Sequence, residues 1–241
     1  MSYVAIAIVI GLLIAIHEGG HLLAAKACGI PVKRFSIGFG PKLFGFKRGE
    51  TSYWLSLIPL GGYVLPALED AEFRRLPALK RIVFALGGPA ANIAGAFVGL
   101  FVIGLSQFRL SAVQAVSFAA TELVMGLQQQ LYGLSTLFSD FGQMSGFVGI
   151  IAVGGAQFGS TLANLLTFSV MINISLAVLN LLPLPPLDGG RVLFCVLEKI
   201  YRPLAKVEMP VTLVGWALIM LLMVCVTVQD VGRIVYASSL A

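Results

Sequence analysis

Five consecutive residues stand out for their chemistry. His17-Glu18-Gly19-Gly20-His21 reads H-E-x-x-H. On a helix, residues four apart share a face, so both imidazoles can grip one ion. Glu18, one residue on from His17, can reach a water held by that ion and act as general base. Zinc suits such a site because it takes nitrogen and oxygen ligands and keeps one position open when catalytic. Bound zinc lowers the pKa of its water to about 7. The chain has two histidines, and both lie in this motif. The motif falls in an apolar stretch, residues 4–27, where each ionisable group costs about 3 kcal/mol to insert into a membrane. A polar cluster that merely pins helix packing is the bland alternative, but ionisable groups within a membrane mark function by default. Gly19 is expected to allow close backbone packing in the core.

A catalytic zinc needs a third protein ligand, and with no further His it must be Cys or a carboxylate. Cys28, Cys195 and Cys225 are odd in number and lack metal-ligand spacing. They read as apolar buried thiols. Asp188 is the best candidate. It follows Asn180-Leu181-Leu182-Pro183-Leu184-Pro185-Pro186-Leu187 and precedes Gly189-Gly190. The prolines end a helix, and the glycines allow a sharp turn. Asp188 is therefore expected on non-helical backbone that lines a protein cavity. Glu122 is the other acid in an apolar stretch.

The elements that position these residues follow from composition. Of 241 residues, 58% are hydrophobic and 11% charged, against about 25% charged in a soluble domain. That excludes a cytosolic enzyme, a disordered chain and a disulfide scaffold. The expected fold is an all-α polytopic membrane protein, a single membrane-embedded domain over residues 1–241 with about four transmembrane helices. The spans are expected at residues 4–27, 82–108, 162–187 and 209–229. Of the 16 Lys and Arg, ten lie between Lys26 and Arg81 and four between Arg191 and Lys206. Both basic loops are then cytoplasmic and both termini outside. The net charge of +5 therefore reports topology, and no nucleic-acid partner is expected. Residues 32–64 alternate in apolarity and are punctuated by Gly, which suggests a small re-entrant β-hairpin or sheet. Residues 111–138 carry Glu122 and Gln128-Gln129-Gln130 among apolar residues and read as an interfacial amphipathic helix.

H-E-x-x-H in the first span paired with N-x-x-P-x-P-x-L-D-G in a later one resembles the site-2 proteases, which are zinc intramembrane metalloproteases. Arg34-Phe35-Ser36-Ile37-Gly38-Phe39-Gly40, Gly88-Pro89-Ala90-Ala91-Asn92 and Ser145-Gly146-Phe147-Val148-Gly149-Ile150 point to the RseP-like bacterial branch. The resemblance implies one zinc ion held by His17, His21 and Asp188, and a water activated by Glu18. It implies a β region beside the active site that pairs with an unwound substrate. It also implies that Asn180 contacts substrate backbone and that Asn92 faces the same cavity. The chain departs from that branch in leaving no room for a PDZ domain between the second and third spans.

The leading function is therefore an intramembrane zinc endopeptidase acting on single-pass proteins in the lipid bilayer, in a bacterial inner membrane. Two other classes are weaker. A non-catalytic zinc-binding scaffold for transmembrane clients would not need Glu18. A metal transporter would need ligands repeated along a path, and both histidines lie at one point.

Overall fold

A computed structural model describes residues 2–136, 146–158 and 161–239. Among the described residues, four helices are long and apolar enough to cross a membrane: Tyr3–Ala27, Ala78–Ser106, Leu162–Asn180 and Val207–Arg233. They belong to α1 (Ser2–Ala27), α3 (Ala78–Ser106), α6 (Leu162–Asn180) and α8 (Ala205–Ser239). Between them stand β1 (Val32–Arg48), β2 (Thr51–Pro66), α2 (Asp70–Arg75), α4 (Ala112–Thr136), α5 (Phe147–Gln157) and α7 (Asp188–Ile200). The four expected spans, the sheet after the first, and the extra helix between the second and third are all present. Residues 137–138 of the expected helix, and Ser145 of the third glycine segment, lie outside the described residues.

Without a hydrophobic drive between helices in lipid, close packing needs small residues at the contact. Gly20 and Gly87 supply it: a Cβ on either would run into the other helix, so α1 and α3 touch backbone to backbone. The small residue is thus Gly20 and not Gly19, around which space is open. Helices α3, α4 and α6 share a core of Ala96, Leu100, Ile103, Ala119, Val170, Ile174 and Val178. Helix α4 doubles back along α3 and α6. Gly104 abuts Ala115, and further on Ser175 Oγ donates to Gln130 Oε1 over 3.2 Å.

The two strands pair with an unusual register. Residues 34–37 stand opposite 62–65 and also opposite 52–55, while 42–48 stand opposite 51–56. Each long strand therefore bends so that its halves occupy different rows. Among the described residues, the row 62–65 is paired on one side only, and it lies against α1, with Gly62 packed on the Glu18 side chain.

The third span ends at Asn180, short of the expected 187, because Pro183, Pro185 and Pro186 have no N–H to donate. Asp188 is not on irregular backbone as expected; it is the first residue of α7, after Leu187 at the N-cap. A carboxylate in the first turn of a helix is favoured by the helix dipole. Helix α7 is tied to α3 by Arg81, whose Nη2 donates to Glu198 Oε2 over 2.7 Å.

Candidate active site

Helix α1 presents His17 and His21 one turn apart, and α7 brings Asp188 between them. His17 Nε2 and His21 Nε2 are 3.3 Å apart. Asp188 Oδ2 lies 3.2 Å from the first and 3.3 Å from the second. All three side chains are buried. Ligands about 2.0–2.1 Å from a tetrahedral zinc stand about 3.3 Å from one another. The triangle of candidate ligand atoms therefore has the dimensions of a zinc face.

Three further observations fit the ion. His21 Nδ1 faces the Phe84 carbonyl oxygen at 2.8 Å. Donating there, the ring leaves Nε2 free as a ligand. Asp188 Oδ2 is buried, and the groups within its reach are the two imidazole nitrogens that would share the ion with it. Gly88 on α3 lies directly behind the ligands, and a Cβ there would strike His21 Nε2 and approach His17 Nε2 to 2.6 Å. Burial alone would favour the neutral acid, but the adjoining imidazoles and Arg191 outweigh it. They hold the Asp188 carboxyl well below the usual carboxylate range. The site is thus positioned to hold one Zn²⁺ as cofactor.

Two cavities meet at this point. The smaller, about 270 Å³, is lined by the three ligands, Glu18, Tyr63, Asn180 and Arg191. The larger, about 780 Å³, is almost wholly apolar and runs between α1, the sheet and α8. Glu18, Phe39, Gly62, Asn180 and Trp216 line both. Asn180 Nδ2 currently donates to the Leu176 carbonyl over 2.9 Å. Asn92 is elsewhere: fully buried behind His17, with Nδ2 2.9 Å from His17 Nδ1. It lines neither cavity, contrary to the expectation that it faces substrate. Glu122 is on α4, away from the triad. The free cysteines are not among the ligands.

The sequence reading missed Trp216, Phe39 and the carbonyl of Phe84. Trp216 has no polar neighbours in an apolar helix to mark it. A backbone carbonyl leaves no mark in residue type at all.

A buried His₂Asp cluster, with both histidines on a membrane-spanning helix and the aspartate on α7 beside it, is the arrangement of an intramembrane zinc metalloprotease. The chain matches the description Peptidase family M50 over residues 5–222, and it belongs to that family. It is similar to the zinc metalloprotease RasP of Oceanobacillus iheyensis, 52% identical over 75 residues, which cover 31% of this chain and 18% of that protein. Protease RseP of Yersinia pestis is 38% identical over 122 residues, covering 45% of this chain and 27% of RseP. A Clostridium acetobutylicum protein, whose name assigns it provisionally to the zinc metalloproteases, is 26% identical over 333 residues, covering 96% of this chain and 98% of its own length. That alignment is longer than the 241-residue chain, so this relative carries an insertion that the chain lacks. No PDZ domain is present among the described residues.

Proposed function

We propose that this zinc protease hydrolyses peptide bonds within or near the membrane span of single-pass proteins in a bacterial inner membrane, with both of its termini outside. The observation that carries the substrate class is the junction at Glu18. A polar pocket holding the metal ligands opens into an apolar groove walled by α8, as a cut inside lipid requires. Zinc bound at the triad supplies a nucleophilic water at neutral pH.

The chain's own residues supply the rest. Glu18, one position from a ligand and on the wall of both cavities, takes the proton of the attacking water and returns it to the leaving amine. A helical substrate hides its carbonyls in its own hydrogen bonds and must unwind. The row 62–65, paired on one side only, offers it a replacement partner by strand addition. Asn180 turns its amide from Leu176 to the substrate backbone, where it can also meet the developing oxyanion.

The test compares wild type with E18Q, both purified in detergent, for zinc content and for cleavage of single-span substrates. E18Q should hold zinc as wild type does and cut at least a thousandfold more slowly. Turnover by E18Q near the wild-type rate would remove Glu18 from the chemistry.

A further inference from the structure

Asn92 sits where a substrate cannot touch it. It is 0% exposed, on α3, and its carboxamide meets a single imidazole nitrogen, His17 Nδ1, at 2.9 Å. The atom facing His17 is the amide nitrogen, and the amide oxygen, Oδ1, is buried with no partner. With the amide this way round, one assignment of protons follows. Asn92 donates to His17 Nδ1, so the ring carries its proton on Nε2, the nitrogen that faces Asp188 Oδ2 at 3.2 Å.

That arrangement is incompatible with zinc. A ligating Nε2 must offer a lone pair, and a neutral imidazole then carries its proton on Nδ1. With the Asn92 amide nitrogen opposite, two donors would face each other in a buried site. The two ends of a carboxamide have nearly the same shape, so a half-turn of the amide group exchanges them without displacing a neighbour. The half-turn brings Oδ1 to His17 Nδ1 as an acceptor and moves the NH2 group into the place that Oδ1 held.

We propose that Asn92 is a positioning residue for the metal centre: in the zinc-bound protein its Oδ1 accepts the Nδ1–H of His17, fixing the tautomer that ligates. The inference rests on the reading of His17, His21 and Asp188 as a zinc site. It makes α3 the backing for both rings, since the Phe84 carbonyl does for His21 what Asn92 does for His17. Removing such an outer partner typically costs 10–100-fold in metal affinity.

The experiment measures zinc affinity of the full chain in detergent by chelator competition, with the visible spectrum of bound Co²⁺ as a second readout. Wild type is compared with N92A and N92D. Asp keeps the shape and the acceptor but, ionised, has nothing to donate. N92A should bind zinc about 10–100-fold more weakly and show an altered Co²⁺ spectrum. N92D should bind at least as tightly as wild type, with a wild-type-like spectrum. If N92A does not accumulate as folded protein, N92D alone decides. An N92D variant that has lost zinc, or an N92A variant within twofold of wild type whose KM alone has risen, overturns the proposal. Wild type that binds no zinc would instead overturn the metal site itself, and the two failures are told apart by that one measurement.

Discussion

The two sides of the apolar groove are built differently. On one side α1, α3 and α6 are packed together, and 28–33% of each spanning window is buried within the protein. On the other, α8 has 6% of its window buried. The metal ligands and their supports all belong to the first side or to α7, which Arg81 and Glu198 pin to α3. The second side contributes Trp216, Ile219, Met220 and Met223, side chains that shape space without holding an ion. Zinc geometry tolerates only a few tenths of an ångström, so it is placed where helices touch backbone to backbone. A groove for a varied apolar partner needs no such tolerance, and its wall is held at few points. One is Asp230, whose Oδ2 accepts from Gly146 N at 2.9 Å and Gly149 N at 2.8 Å at the start of α5.

The contrast can be broken most severely at the ligands. D188A should lose zinc after dialysis and all cleavage with it; unchanged metal content would remove Asp188 from the site. G88A comes next. Its methyl group would strike His21 Nε2 and crowd the His17 ring, and zinc affinity should fall at least tenfold while the helices remain folded by circular dichroism. Wild-type affinity in G88A would mean that the ligands can retreat and that the packed side is softer than described. E198A severs α7 from α3 and leaves Arg81, 8% exposed, without its partner. It should cost about 1–3 kcal/mol, read as a lower melting temperature together with weaker zinc binding. Smallest is D230N, which weakens the tie between α8 and α5. Stability should fall by about 1 kcal/mol with zinc affinity unchanged. A loss of zinc in D230N would show that the two sides are coupled after all.

Much of this was legible because the chemistry lies in short local patterns. H-E-x-x-H is a one-turn motif, so its geometry follows from the helix alone. Spans and sheet followed from apolar periodicity, and the choice of Asp188 from the scarcity of acids in apolar surroundings. What escaped depends on packing between distant segments. Asp188 looked like a loop residue because three prolines precede it, yet the chain recovers helical backbone at that very residue. The contact of Gly20, rather than Gly19, with α3 depends on which way α1 faces, and a span apolar all round does not reveal that. Asn92 resembled a substrate contact because its type suits both roles; only its position behind His17 separates them. The bent pairing of β1 and β2 left no trace beyond glycines that a plain hairpin would also show.

Helix α3 contributes no ligand, yet it touches both rings on the side away from the ion, at Phe84 and at Asn92. These two contacts lie about two helical turns apart, with Pro89 between them removing one backbone hydrogen bond. A slide of α3 along α1 would therefore tilt both imidazoles at once. Metal affinity in this protein should report the register of two transmembrane helices. A change in bilayer thickness that shifts that register would be felt at the ion before any substrate arrives.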